Sequence, residues 1–379
     1  MKFLRLIWSN AQRSKLRTTL TVVSTAIALF LFCMLRTVVT SLDSSVEVAD
    51  EARLVVRRST SLIFPLPLSY AERLRQMDGI NGLTWMNWFG GTNPADERGF
   101  FAQFAVDPAT YFGLYPEFLL EPSEIEAFQR ERTACIIGEK LAKKYGWKTG
   151  DNVTIRGTIY PGDWTFTVRG VYRAKTPDVD TSTMYFQWNF LDERMNRPGT
   201  VGVYVVRLAD PNSAAATALA IDKVFANSSS ETRTETEKAF QLGFVNMMGN
   251  IKGAVRIIST FVLAGFLLVA INTMIMAARE RIREIAILKT LGFPDDLVLR
   301  LILIESASIA LLGGLIGCFG AAGLFKVAAF GGGMFANFAV RGETITLGLA
   351  IATGMGLASG LVPAINAARL RIVDALRAA

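Results

Sequence analysis

The chain has 379 residues, 51% of them hydrophobic and 19% charged, with a formal net charge of +7 and no histidine. Without histidine there is no Ser-His-Asp triad, no imidazole base and no His-containing zinc site. A positive mean hydropathy of +0.33 favours a membrane class over a soluble one. Cys33, Cys135 and Cys318 form no CxxC pair, so a disulfide scaffold is excluded.

An apolar run over residues 18–39 comes first, preceded by Lys2, Arg5, Arg13, Lys15 and Arg17. It is longer than the apolar region of a signal peptide, and residues 36–43 make a poor cleavage site, so it reads as a retained helix. Residues 3–16 suit an interfacial helix ahead of it. Arg36, at the far end of the run, is expected to snorkel to the surface. About 200 residues follow with no bilayer-spanning segment, and then runs at 257–278, 297–327 and 345–365. Since about 20 apolar residues cross a bilayer core, the expected fold is an α-helical membrane protein. It has four transmembrane helices and an α+β domain inserted between helices 1 and 2.

Charge sets the orientation. Residues 43–252 carry 23 basic and 26 acidic side chains, whereas the remainder carries 17 and 7. The excess therefore belongs to the membrane part and reads as a topology signal, with no nucleic acid as partner. Arg279, Arg281, Arg283, Lys289 and Arg300 lie between helices 2 and 3, and Arg369, Arg371 and Arg377 follow helix 4. The positive-inside rule then puts both termini and the 2–3 loop in the cytoplasm, with the large insert and the glycine-rich 331–344 loop outside.

Within the insert, residues 152–156 and 165–172 alternate as strands around a Tyr160-Pro-Gly-Asp163 turn, and 201–208 is a third strand. Residues 70–77, 139–145 and 213–226 read as helices. Phe240, Phe244, Met247, Met248, Ile251 and Val255 recur at helical spacing, implying one long stalk helix running into helix 2. Gly146-Trp-Lys-Thr149 lacks the spacing of a phosphate loop. Asp107, Asp178 and Asp180 form no metal-loop pattern and read as capping or solvated carboxylates. Neither a metal nor a cofactor is expected on this chain.

The 2–3 segment, Ala278-Arg-Glu-Arg-Ile-Arg-Glu-Ile-Ala-Ile-Leu-Lys-Thr-Leu-Gly-Phe293, is charged first and apolar second, and Gly292 and Pro294 stop it. Glu280–Arg283 and Arg281–Glu284 are spaced for i,i+3 pairs. A short amphipathic knob of this kind suits docking into a partner's groove. Asn272 and Glu305 are intramembrane polar residues. Gly313, Gly314 and Gly317 are spaced for close helix packing.

The knob resembles the coupling region of MacB/FtsX-type (type VII) ABC transporter permeases, and the resemblance extends along the chain. It includes residues 10–23, Asn272 in Ile271-Asn-Thr-Met, Leu303-Ile-Glu305, Gly313-Gly-Leu-Ile-Gly317 and Gly360-Leu-Val-Pro-Ala-Ile-Asn-Ala-Ala-Arg369. In the insert, Phe104-Ala-Val-Asp-Pro-Ala-Thr-Tyr-Phe112 and residues 137–151 are similar to the MacB-like periplasmic core. The tail departs from the family pattern in lacking Pro before Ala375-Leu-Arg377, and Phe64-Pro-Leu-Pro-Leu68 has no place in it.

The resemblance implies a boundary scheme of 1–41 (interfacial helix and helix 1), 42–238 (periplasmic domain) and 239–379 (stalk and helices 2–4, with a coupling helix at 279–292). It implies a non-catalytic subunit in the bacterial inner membrane. A separate ABC ATPase subunit, holding ATP and Mg, would meet Arg281, Arg283, Glu284, Ile285, Leu288, Lys289 and Gly292. Further partners implied are a second permease copy or homologue, membrane lipid, and a periplasmic adaptor with an outer-membrane channel. The expected activity is export by mechanotransmission; the alternatives are lipoprotein extraction and switching of a periplasmic enzyme. The long insert argues against the last.

Overall fold

The computed structural model describes residues 15–47, 50–97, 99–176, 179–196, 198–247, 251–280, 282–331 and 338–369. The expected interfacial helix before residue 15, Arg281, and the tail beyond Arg369 lie outside them. Two compact units result: Met1–Thr40, Asn250–Val327 and Phe338–Ala379 form one, and Ser41–Gly249 with Ala328–Asn337 forms the other.

Helix α1 (Lys15–Glu47) contains the first apolar span, Thr18–Ser41. The chain then enters the second unit through β1 (Arg53–Arg58), β2 (Leu66–Pro67), α2 (Tyr70–Arg75), β3 (Ile80–Trp88), β4 (Gly91–Thr92) and β5 (Gln103–Val106). Next come α3 (Tyr111–Leu114), β6 (Phe118–Leu119), α4 (Pro122–Arg130), β7 (Ala134–Gly138), α5 (Glu139–Tyr145) and β8 (Asn152–Gly157). The unit closes with β9 (Gly162–Ala174), β10 (Met184–Gln187), α6 (Trp188–Arg194), β11 (Thr200–Val201), β12 (Val203–Leu208), α7 (Ala214–Phe225), β13 (Thr232–Thr236) and α8 (Glu237–Met247).

These strands make a mixed sheet in the order β13-β1-β12-β3-β5-β10-β7-β9-β8-β4, with β6 on β9 and a separate β11–β2 pair. The β10–β5 and β7–β9 pairs are parallel and the other pairs are antiparallel. Because alternate side chains leave a strand on opposite faces, Tyr204 and Val206 enter one core with Trp85, Phe89, Phe166 and Phe186, whereas Val205 enters another with Tyr111, Phe112, Tyr172 and Tyr185. Burial on both faces explains why β7, Ala-Cys-Ile-Ile-Gly, is a continuous apolar run lacking the alternation that identified β8 and β9.

The hairpin expected at Tyr160-Pro-Gly-Asp163 joins β8 to β9, with Gly162 at φ +111°. The expected strand at 201–208 is interrupted at Gly202, where a Cβ would come within 2.9 Å of the Met86 carbonyl oxygen. Phe64-Pro-Leu-Pro-Leu68 supplies β2; Tyr204 Oη donates to Pro67 O at 2.6 Å, and Ile63 and Phe64 are left exposed. Asp107 and Asp180 accept from neighbouring hydroxyls, Thr110 and Ser182 among them. Asp178 lies outside the described residues, and among those residues no cluster of His, Cys, Asp or Glu could hold a metal.

In the first unit, α9 (Ile251–Glu280), α10 (Ile282–Thr290), α11 (Asp295–Gly331) and α12 (Gly342–Ala368) follow. The expected stalk helix is described as α8 and α9, and the three residues between them, Met248 included, lie outside the description. With α1, helices α9, α11 and α12 provide four spans long and apolar enough to cross a membrane.

Small residues let these helices meet. On α11, a Cβ at Gly313 would come within 2.8 Å of Thr25 Cβ, and at Gly317 it would overlap the Ala26 carbonyl, so both face α1. Gly314 faces Ala352 of α12. Cys33 and Cys318 are free thiols whose sulfurs lie 3.5 Å apart beside Gly348. Arg36 is half-buried, and its Nε has no hydrogen-bond partner among the described residues.

Candidate coupling site

Two places in the chain combine charge, burial and position at a helix junction. The first is the knob. Helix α10 ends because Gly292 adopts the left-handed conformation (φ +88°), with its N–H on Lys289 O at 3.1 Å. Glycine takes that conformation without the Cβ penalty. Pro294 then starts α11, its carbonyl accepting from Leu297 N–H at 3.0 Å, and Asp295 and Asp296 favourably occupy the positive first turn.

The knob is packed onto its own unit. Ile285 is buried against Val298 of α11 and Ala367 of α12. One turn on, Lys289 is only 8% exposed; its Nζ donates to Ala368 O at 2.5 Å and pairs with Asp295 at 2.8 Å. A cation at a helix C-terminus is favoured by the carbonyls exposed there. Ile285 and Lys289 therefore pin α10 to the start of α11 and the end of α12. Among the described residues, the outward apolar side chains are Ile287 (56% exposed), Leu291 (70%) and Phe293 (36%). None of these three was among the expected contact residues. Their signal was the i,i+4 spacing of Ile287 and Leu291, which is equivalent on paper to that of Ile285 and Lys289. Arg283, Glu284 and Leu288 lie on α10 but their side chains, like all of Arg281, are outside the description.

Asn272 is exposed on α9, in a stripe with Phe261, Gly265 and Leu268. Glu305 is half-buried on α11 and has an interaction partner.

The second place is where the chain enters and leaves the inserted domain, and sequence reasoning missed it. Arg53 of β1 is 2% exposed. Its Nε reaches Glu237, the first residue of α8, at 2.7 Å, and its Nη2 reaches Glu117 at 2.7 Å. Its guanidinium lies 4.3 Å from the Tyr115 ring centroid. Glu237 also accepts from Asp50 N–H at 3.2 Å and Tyr115 Oη at 3.3 Å. Burial pushes the Glu237 carboxyl up from its ordinary range despite Arg53. The cluster ties the strand after α1 to the helix before α9. Arg53 sits in a Leu-Val-Val strand context that gives no hint of partners 64 and 184 residues away.

Four apolar helices with a large α+β domain inserted after the first, and a short pinned helix between the second and third, define a membrane permease architecture. Residues 18–224 match the family model of the MacB-like periplasmic core domain, and residues 256–372 match that of the FtsX-like permease C-terminal region. The chain belongs to the MacB/FtsX-type family of ABC transporter permeases.

Among relatives, the uncharacterized ABC transporter permease YknZ of Bacillus subtilis is 30% identical over 253 residues, covering 64% of this chain and 61% of YknZ. The macrolide export ATP-binding/permease protein MacB of Acinetobacter baylyi is 27% identical over 266 residues, covering 65% and 38%. A MacB of Chlorobium phaeobacteroides is 37% identical over 108 residues, 28% of this chain and 16% of that protein. This chain thus spans between 16% and 61% of the lengths of these relatives. The solved periplasmic region of MacB from Actinobacillus actinomycetemcomitans aligns with TM-score 0.38 at 10% identity, covering 52% of this chain and 93% of that one. That similarity is too low to add weight.

Proposed function

We propose that this chain is the transmembrane subunit of an ABC exporter. A separate ATPase, binding ATP and Mg, docks on the knob, and the inserted domain changes conformation on the outer side of a bacterial inner membrane. The observation that carries this reading is the knob itself. Ile287, on a helix pinned to α11 and α12, and Leu291 and Phe293 just after it are outward apolar side chains. A push on these side chains reaches two membrane helices directly and α9 through the chain. The basic residues around the 2–3 segment support a cytoplasmic knob, and relatives named as macrolide exporters support export. The exposed stripe around Asn272 suits a second permease copy, since an amide in a membrane gains from an interhelical hydrogen bond. In this arrangement the carboxylates and thiols of the chain have no catalytic duty.

The test is co-purification with a candidate ABC ATPase subunit from the same organism. Leu291→Asp and Ile287→Asp are expected to abolish the complex while leaving membrane insertion intact. Lys289→Met should leave assembly near wild type but lower the cargo-dependent ATPase rate, because it loosens the pin rather than the docking face. An unchanged complex in both aspartate variants would refute the reading.

A further inference from the structure

A cleft of about 170 Å³ opens where α9, α10 and α12 converge. Its walls include Ile275, Ala278, Ile282 and Pro363, and its polar groups are Arg279 and Asn366. Both polar residues are exposed, and neither bonds to another described residue. Of the described acids nearby, Glu280 has an interaction of its own and Asp295 holds Lys289. Arg369, also exposed, follows at the end of α12.

The depth of the cleft selects its occupant. The apolar spans Lys252–Glu280 and Gly342–Ala368 both end at this cleft, and where an apolar span ends hydrocarbon gives way to water. One turn deeper, Met276 lies on the Arg279 face of α9 at 55% exposure and Val362 on the Asn366 face of α12 at 46%. Each helix therefore presents a polar donor at the boundary and an exposed apolar side chain just inside it. A phosphate with an acyl chain below it has the matching polarity, and basic pockets between membrane helices bind anionic headgroups. A soluble anion would leave the apolar walls wet, and an uncharged lipid would leave the guanidinium without an anion.

We propose that this cleft binds the headgroup of an anionic phospholipid, its phosphate on Arg279 and Asn366 and its acyl chain along Met276 and Val362. Because Ile282 and Ile285 of α10 also line the cleft, the lipid holds the knob against the ends of α9 and α12. The proposal is independent of the ATPase reading, and its test uses no ATPase.

The experiment is native mass spectrometry of the purified full chain, delipidated in detergent and titrated with phosphatidylglycerol or phosphatidylcholine. Wild type is expected to retain phosphatidylglycerol selectively. Arg279→Gln should weaken retention roughly five-fold, the worth of one basic side chain near an anionic surface. Ala278→Trp, which fills the cleft without altering charge, should abolish selectivity. Arg300→Gln, at an exposed arginine paired with Asp296, should leave it unchanged. Equal retention by wild type, Arg279→Gln and Ala278→Trp would overturn the proposal. So would an equal loss in Arg300→Gln, which marks nonspecific charge attraction, or displacement of the lipid by glycerol phosphate alone.

Discussion

Replacing Arg53 with Met tests whether the buried cluster holds together the strand and the helix by which the chain enters and leaves the inserted domain. Arg53 is 2% exposed and bonds two carboxylates, one of which, Glu237, is itself 9% exposed. Methionine fills most of the volume but leaves Glu237 buried with Asp50 N–H and Tyr115 Oη and without its cation. Breaking a buried pair from one side costs about 3–5 kcal/mol. For a domain of this size that corresponds to a fall in melting temperature of about 6–20 °C. The double variant Arg53→Met/Glu237→Leu removes the stranded charge as well, and replacing a whole buried pair by apolar side chains is often near neutral. The double variant should therefore be more stable than the single one. Five of the six tryptophans lie in the inserted domain, Trp164 and Trp188 among its buried residues. Thermal unfolding of the full chain followed by tryptophan fluorescence thus reads that domain. A single variant melting with wild type, or a double variant melting below the single one, would refute the clamp.

Helix packing and acid sensitivity give two further expectations. Gly317→Leu should destabilise the membrane unit by more than the usual 1–3 kcal/mol of overpacking, because the new side chain meets α1 backbone at Ala26 and Phe30. Gly323→Leu, with nothing within 4 Å, should be neutral; equal aggregation temperatures in detergent would contradict this. In the inserted domain, hydrogen bonds from Arg169 and from Lys144 hold the Glu131 and Asp96 carboxyls below their ordinary ranges. A depressed carboxylate contributes stability above its unfolded value and loses it as pH falls through the folded one. Stability should thus decline below about pH 4. Glu237, shifted upward, acts in the opposite sense at higher pH. The Arg169→Gln/Lys144→Met variant should lose less stability on acidification, read from melting temperature against pH; an unchanged acid limb would refute the assignment.

How much the sequence revealed follows from the range of each signal. A membrane span is a local property, so four apolar runs and the gap after the first were legible, as were the β8–β9 hairpin and the Gly292–Pro294 stop. β7 and β10 were not, because strands buried on both faces lose the alternation that marks a strand. Within the knob, composition identified an amphipathic segment but could not say which residues face inward. Lys289 reads as a surface cation until Ala368 and Asp295 are brought beside it.

By itself, then, the sequence determined class, span number and the family pattern, all of which are carried by neighbouring residues or ordered motifs. Tertiary structure decided which side chains are buried anchors and which stay exposed. Arg53 and Glu237 are 184 residues apart, and Cys33 and Cys318 are 285 apart. Their partnerships arise only when the sheet and the helix bundle close, because burial and pairing are properties of the space around a side chain and not of its neighbours along the chain.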